Sequence, residues 1–336
     1  MRVLVTGGSG FLGANVVRHL LAAGDDVRCT LRRTSSAVTL DGLPITRVEA
    51  ALTDRDALAR AIDGCDVVMH VAGLYDPGPG GEDRMREIHV DATAAILDAA
   101  ARVGVRRVVV CSSSITVGFG PRDAPGDEET PLDADRVYGT AGPLRTYHDT
   151  KRTSEAMAAR DDVDVVIVNP DYVIGAWDVK PTSGALILAS MKQWIPVYPR
   201  GGKCFVDAED AAAAHRLAAL HGVRGRRYLL GNHNLSYQEF QTATARVIGR
   251  RAPVFPLSRT LVGLADRFVD ALGDTAPPAA SGAVRLLGAM QQERYRDGTR
   301  AVAELGAPVT PIETSIERAV RWFRDHGYVK GSGEAR

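Results

Sequence analysis

The sequence predicts an α/β protein built on a doubly wound parallel sheet, followed by a smaller mixed region. Three observations predict it. Short β-branched runs alternate with longer helical patterns through the first half, as βαβ units require. Val67–Val71 and Val108–Cys111 are continuous apolar runs, the pattern of strands covered on both faces. A glycine cluster stands between the first strand and the first helix. At 336 residues, the chain has room for about two domains of roughly 150 residues each.

Taken in order, Arg2–Thr6 reads as a strand, Phe11–Ala23 as a helix, and Asp26–Leu31 and Ile45–Glu49 as further strands. Asp54–Ile62 has an acidic start and Gly64 as its stop, which marks a helix. Another helix fills Asp83–Val103 and ends at Gly104. After a long loop come a helix over Thr146–Arg160 and a strand over Val163–Asn169. Gly73–Gly81 and Gly118–Pro143 are too long to be plain connectors, and read as lids or binding loops. From about Pro170 the pattern is mixed. Leu257–Leu272 and Ile312–His326 are amphipathic, and Gly331–Arg336 reads as a frayed tail. The division is therefore 1–170, 171–330 and 331–336.

Lys+Arg and Asp+Glu balance at 41 each, so no global field favours nucleic acid or an anionic membrane, although local patches stay open. The longest apolar runs, such as Val165–Val168, fall far short of the roughly 20 residues of a membrane span. Cys29, Cys65, Cys111 and Cys204 lack zinc or disulfide-framework spacing, so no metal site is expected. The first residues lack a secretory apolar region. A cytoplasmic protein with reduced thiols and a small-molecule substrate is the expectation.

Gly8-Ser9-Gly10-Phe11-Leu12-Gly13 fits G-x-G-x-x-G, and Gly7, Gly10 and Gly13 fit G-x-x-G-x-x-G. The match leaves a strand and enters a helix. There glycines permit a tight turn, and free N–H groups at the helix start can hold a pyrophosphate. Gly7, Gly10, Phe11, Leu12 and Gly13 are the candidate residues. An acidic residue after the second strand would favour a ribose hydroxyl. Here the chain reads Leu31-Arg32-Arg33 instead, and guanidinium forks suit phosphate oxygens. The expected cofactor is NADP(H), with Arg32 the stronger candidate and Arg33 the second.

Tyr147 and Lys151 stand four apart in an expected helix, so phenol and ammonium share one face. They follow Ser112-Ser113-Ser114 at a strand end. With these residues in place, the sequence resembles the extended short-chain dehydrogenase/reductases. Within them it is most similar to bacterial dihydroflavonol-reductase-like and hopanoid-associated sugar epimerase-like proteins. The resemblance runs through T-G-G-S-G-F-L-G at 6–13, V-R-C-T-L-R at 27–32, L-T-D at 52–54 and H-V-A-G at 70–73. It continues through C-S-S-S at 111–114, Y-x-x-x-K at 147–151, N-P-D-Y-V-I-G at 169–175 and A-V-R-W-F at 319–323.

The resemblance implies a Rossmann-type cofactor domain to which about 204–216 returns. It implies that Tyr147 is the general acid or base, that Lys151 binds the nicotinamide ribose, and that Ser114 polarises the reacting oxygen. Ser114 is preferred over Ser113 by register alone. It adds Leu52, Ala72, Gly73, Pro170 and Val173 to the cofactor contacts. A homodimer through the helices at 83–103 and 146–160 is a further possibility, with Ala92, Ala95, Ala99 and Ala100 allowing close approach. His148 points about 100° from Tyr147 on the helix, which suggests a solvated or interface role.

Four positions depart from the family pattern. Ala51 replaces an adenine-contacting Asp, with Asp54 or the Leu52 backbone as substitutes. His89 replaces an Asn that supports the proton relay, and Ala176 replaces a Pro. Ser114-Ile115-Thr116 lacks the Asp-Glu pair of sugar dehydratases. The leading expectation is an NADP(H)-dependent oxidoreductase on a ketone or secondary alcohol of a hydrophobic, cyclic substrate. Leu257–Leu272 and Ala283–Met290 would supply an apolar cover. A nucleotide-sugar epimerase is the second reading, and a nonenzymatic NADP-sensing regulator the third.

Overall fold

The computed structural model describes residues 1–32, 38–272 and 278–329. The expected tail at 331–336 lies outside the described residues. The first half runs β1 (Arg2–Thr6), α1 (Phe11–Ala22), β2 (Asp26–Leu31), β3 (Thr46–Glu49), α2 (Arg55–Ile62) and β4 (Val67–His70). Next come α3 (Gly81–Arg86), a π-turn over Glu87–Asp91, α4 (Ala92–Val103), β5 (Arg107–Cys111), α5 (Ala134–Tyr138), α6 (Pro143–Ala156) and β6 (Val165–Pro170). The second half holds β7 (Tyr172–Ile174), α7 (Ala185–Lys192), β8 (Val197–Tyr198), β9 (Gly202–Asp207), α8 (Ala208–His221), β10 (Arg227–Leu230) and β11 (His233–Ser236). It ends with α9 (Tyr237–Ile248), β12 (Phe255–Pro256), α10 (Arg259–Leu272), α11 (Pro278–Ala289), β13 (Glu293–Arg294) and α12 (Ile312–Asp325).

Seven parallel strands form the main sheet in the order β10-β6-β5-β4-β1-β2-β3. Alternation along each strand feeds two cores. Val3, Val5, Val67 and Met69 face one layer with Val16, Val17 and Leu20 of α1 and the alanines of α8. Leu4, Val68, Val108 and Val110 face the other, with Leu58 and Ile62 of α2 and Ile96 and Leu97 of α4. Burial on both faces is why these strands read as unbroken apolar runs. The order reverses beside β1, where β4 and β2 flank it, and such a switch point opens a crevice at the carboxyl ends of the strands.

Of the stretch expected to return to this sheet, 204–207 falls in β9 and 208–216 in α8. β9 pairs with β7, β11 and β13 in a smaller sheet, whereas α8 and then β10 rejoin the large one. The smaller unit has its own core, in which Phe205 stacks on Phe240 with centroids 4.3 Å apart and Phe323 and Ile316 are fully buried. Helix starts follow local chemistry. Asp207 caps α8, and Ser236 with Glu239 forms a capping box on α9. The 118–143 loop is tied down rather than free. It holds α5, and it bridges to β13 through Gly120–Tyr295 and Gly126–Arg296.

Candidate active site

β1 delivers the chain into the crevice at Thr6, and the glycine turn follows. Gly7 has φ of +72°, and a Cβ there would stand 2.5 Å from the Ala72 Cα, so a side chain is excluded twice over. A Cβ on Gly13 would stand 2.1 Å from the Gly7 carbonyl oxygen. Gly10 donates its N–H to that oxygen at 3.0 Å. As the residue capping α1, Gly10 brings no side chain to the first-turn amides. A turn pared to backbone in front of uncapped amides fits a pyrophosphate group.

Phe11 and Leu12 open α1 and are half-buried. Arg32 is exposed just beyond β2, and Arg33 lies outside the described residues. After β3, Ala51 is exposed and Leu52 packs half-buried on the core. Asp54 is engaged elsewhere. Its Oδ1 accepts from the N–H groups of Asp56 and Ala57 at 3.1 and 3.0 Å, which caps α2. The carboxylate is therefore a poor substitute for the missing adenine contact. Ala72 is buried, and Pro170 and Val173 lie at the end of β6 and in β7 on the other side of the crevice.

Tyr147 and Lys151 stand one turn apart on α6. The Lys151 Nζ donates to the Cys111 carbonyl at 3.0 Å. Gly73 lies against this ammonium, since a Cβ there would be 3.3 Å from Nζ. Burial lowers the Lys151 pKa, which the charges of Cys111 and Glu155 oppose. The Tyr147 ring meets Tyr75 and His89 edge-on, with centroids 5.6 and 5.3 Å apart. Burial pushes its phenol up to about 12, and the Ser113 hydroxyl is the hydrogen-bonding group that opposes the shift.

Ser113, and not Ser114, is the serine that faces Tyr147. Strand geometry gives the reason. Ser112, at the end of β5, points to Glu155 and donates to it at 2.6 Å. The next residue is still extended, with φ −160° and ψ 153°, and so projects to the opposite side. Ser114 already belongs to the 3₁₀ turn that follows and is buried within it. Of the two serines that register left open, Ser113 is the one against Tyr147 here.

Several supporting residues escaped sequence reasoning. Glu155 is buried and accepts from Ser112, Thr116 and Asn169, each at 2.6 Å, so it pins the serine loop to α6. Its signal was available, because Tyr147, Lys151 and Glu155 repeat every four residues. Arg296 had no such signal. Its guanidinium is buried, bonds Asp171 at 2.6 Å, and donates to the carbonyls of Val117 and Gly118. The strand end with the serines is thereby clamped from 179 residues away in sequence.

His89 is a buried linker with a defined tautomer. Its Nε2 accepts the Leu74 N–H at 3.1 Å, so in the neutral ring Nδ1 carries the proton and donates to Thr150 Oγ1 at 2.8 Å. Burial, with Lys151 nearby, pushes its pKa down to about 2. The ring joins the 73–81 loop to α6 directly beside Tyr147, and it sits in the π-turn that breaks the helix expected over 83–103. π-Turns of this kind often mark functional positions.

Three other expectations are corrected. His148 is buried, with Nδ1 2.8 Å from Asp149 and its ring against Tyr138, so it is not solvated. Ala92, Ala95, Ala99 and Ala100 are buried within the chain, the last three in the core shared with α2. They therefore cannot form a subunit contact. The apolar stripe of α10 formed by Leu261, Leu264 and Phe268 does not cover a substrate space, because these three are exposed. The inner side of that helix places Arg259, Val262 and Asp266 on a cavity of about 680 Å³, shared with Phe119, Val137 and Gln291. Val137 on that cavity is followed by Tyr138, which donates to the Ile115 carbonyl at 3.1 Å. Among the described residues, no His/Cys/Asp/Glu cluster could hold a metal ion, and no helix is long and apolar enough to cross a membrane.

Comparison with known proteins places this geometry. Residues 3–231 match the model of the NAD dependent epimerase/dehydratase family. The chain is 35% identical over 338 residues to a putative dihydroflavonol 4-reductase of Synechocystis, covering 97% of this chain and 95% of that protein. It is 31% identical over 338 residues to sterol demethylase protein B of Methylococcus capsulatus, covering 98% and 100%. The crystal structure of gox2253 superposes with a TM-score of 0.86 at 27% identity, over 98% of this chain and 99% of that one. A nucleoside-diphosphate-sugar epimerase from Pseudomonas aeruginosa gives 0.78 at 27% identity, with the same coverage.

Proposed function

This chain belongs to the NAD dependent epimerase/dehydratase family, and we propose that it is an NADP(H)-dependent oxidoreductase that reduces a ketone to a secondary alcohol on a hydrophobic, cyclic substrate. The observation that carries the reading is the meeting of Tyr147, Lys151 and Ser113 beside a glycine turn stripped of side chains. Gly7, Gly10, Phe11, Leu12 and Gly13 would hold the cofactor's pyrophosphate, and Arg32 its 2′-phosphate. Leu52, Ala72, Gly73, Pro170 and Val173 would line its path, and Lys151 would take the nicotinamide ribose hydroxyls. Bound NADPH supplies the hydride.

The chain's own residues supply the rest. Ser113 donates a hydrogen bond to the carbonyl oxygen, which polarises the carbon. Tyr147 gives that oxygen its proton. With burial pushing its phenol up to about 12, Tyr147 is protonated at neutral pH and so able to serve as the acid. Lys151, whose Nζ donates to the Cys111 carbonyl, would hold the side of the site where negative charge develops. The hydrophobic substrate class is supported by the dihydroflavonol reductase and sterol demethylase relatives.

Nucleotide-sugar epimerisation is the competing reading, favoured by the Pseudomonas aeruginosa neighbour. The test is a panel of steroid, polyketide and flavonoid ketones with NADPH or NADH, followed at the nicotinamide absorbance. Net NADPH oxidation supports the reductase. Tight NADP(H) binding with no net turnover favours the epimerase, and a preference for NADH overturns the role given to Arg32.

A further inference from the structure

Single exposed apolar residues are normal on a protein surface, but an aligned row of them is not. On α10, Leu261, Leu264 and Phe268 are 68%, 54% and 66% exposed. At about 100° per residue they fall within roughly 60° of one another, on one stripe of the helix. The opposite side of the helix is mixed: Val269 is buried, and Val262 and Asp266 line the cavity together with Arg259 at the helix start.

The apolar surface continues in both directions along the chain. Leu286 of α11, packed alongside α10, is 61% exposed. Phe255, four residues before α10, and Trp194, on the connection into β8, are exposed as well. They belong to one ribbon, because the N–H groups of Val254 and Phe255 both donate to the Pro196 carbonyl. Exposed arginines border this surface at Arg250, Arg251 and Arg267, with Arg259 at the start of α10, and the exposed Glu293 lies on the cavity. The acidic Asp266 is spent on the inner face.

We propose that the α10–α11 hairpin and the adjoining 254–255 ribbon dock this protein on an anionic lipid surface, as an interfacial element that lies in the headgroup layer without spanning it. An apolar stripe flanked by arginines has the composition of helices that lie in that layer. The basic rim meets anionic headgroups, whereas in a twofold contact between copies the same patch meets itself and the arginines oppose one another. The balanced net charge of the chain does not conflict, since the attraction is local. Docking sets the mouth of the 680 Å³ cavity, which α10 walls, at the lipid boundary. A hydrophobic substrate could pass there without crossing water. That last step rests on the proposed reductase reading; the docking does not.

The test is sedimentation of the full chain with vesicles of phosphatidylcholine alone, or of phosphatidylcholine and phosphatidylglycerol in equal parts, with no substrate present. Binding to the anionic vesicles is expected, at least tenfold tighter than to the neutral ones, and weakened by salt. Leu264→Glu with Phe268→Glu should abolish it while circular dichroism and melting stay unchanged, since both side chains are exposed. Val223→Glu, at an exposed apolar residue between α8 and β10, should leave it intact. A chain that stays in the supernatant with anionic vesicles overturns the proposal. So does a dimer, seen by light scattering, that the paired substitution splits. Ketone reductase activity is read separately and fails independently of either result.

Discussion

Around the glycine turn, Val3, Leu4, Val5 and Thr6 of β1 are fully buried, and Lys151 is buried with its charge placed on a single carbonyl. Along α10, by contrast, Leu261, Leu264 and Phe268, side chains that a core would take, are exposed on one stripe. The first region is over-determined, with two cores, a tuned helix start and a network of buried polar bonds. The second leaves apolar surface unused by the fold. A chain that stabilises itself in the first region and leaves the second open has placed its chemistry and its contact surface on different elements. Substitutions should therefore act differently in the two regions.

The largest effect belongs to the closed region. Tyr147→Phe should lower the turnover of a reducible ketone by roughly 10²–10⁴, with NADPH affinity, read by fluorescence titration, unchanged. Near-full activity would remove Tyr147 from the chemistry. Next comes Arg296→Met, which leaves the Asp171 carboxylate buried and unpaired. Breaking such a pair costs about 3–5 kcal/mol, measurable by urea unfolding. A loss under about 1 kcal/mol would mean the clamp on the serine loop is slack.

Gly13→Ala sets a Cβ against the Gly7 carbonyl, and overpacking costs of about 1–3 kcal/mol should appear as about ten- to hundredfold weaker NADPH binding. Acid should also find the closed region. Burial holds His70, His89 and His215 down to about 3, 2 and 4, whereas the unfolded chain protonates them near 6.5. Their contribution is complete above about pH 6.5. It is lost as pH falls through about 4, at up to about 1.4 kcal/mol per unit for each residue. Denaturant midpoints from pH 7 to 4 give the slope, and a flat profile would contradict it. The smallest effect is in the open region. Leu264→Ser should change stability by no more than about 0.5 kcal/mol in the same unfolding experiment. A larger loss would mean that α10 packs on something within the chain.

The contrast also explains what could be read from sequence. Strands buried on both faces announce themselves, so Arg2–Thr6 and Asp26–Leu31 match the observed bounds. The Tyr147–Lys151 spacing and the glycine turn are local patterns, and local patterns survive in a sequence. The choice between Ser113 and Ser114 was not local, because it depends on where β5 ends and the 3₁₀ turn begins. Arg296 and Asp171 meet through tertiary contact alone. The amphipathic periodicity of 257–272 was visible, but periodicity fixes a stripe and not which way it faces. That helix was assigned to the substrate when its stripe in fact points outward.

The central claim is that hydride leaves NADPH and stays on the product. The most direct measurement uses NADPH carrying deuterium at the transferable position, with a ketone that the panel shows to be turned over, and mass spectrometry of the alcohol. The account predicts deuterium at the carbinol carbon and NADP⁺ formed in equal amount. Substrate interconversion with no accumulation of NADP⁺ and no retained deuterium would contradict it.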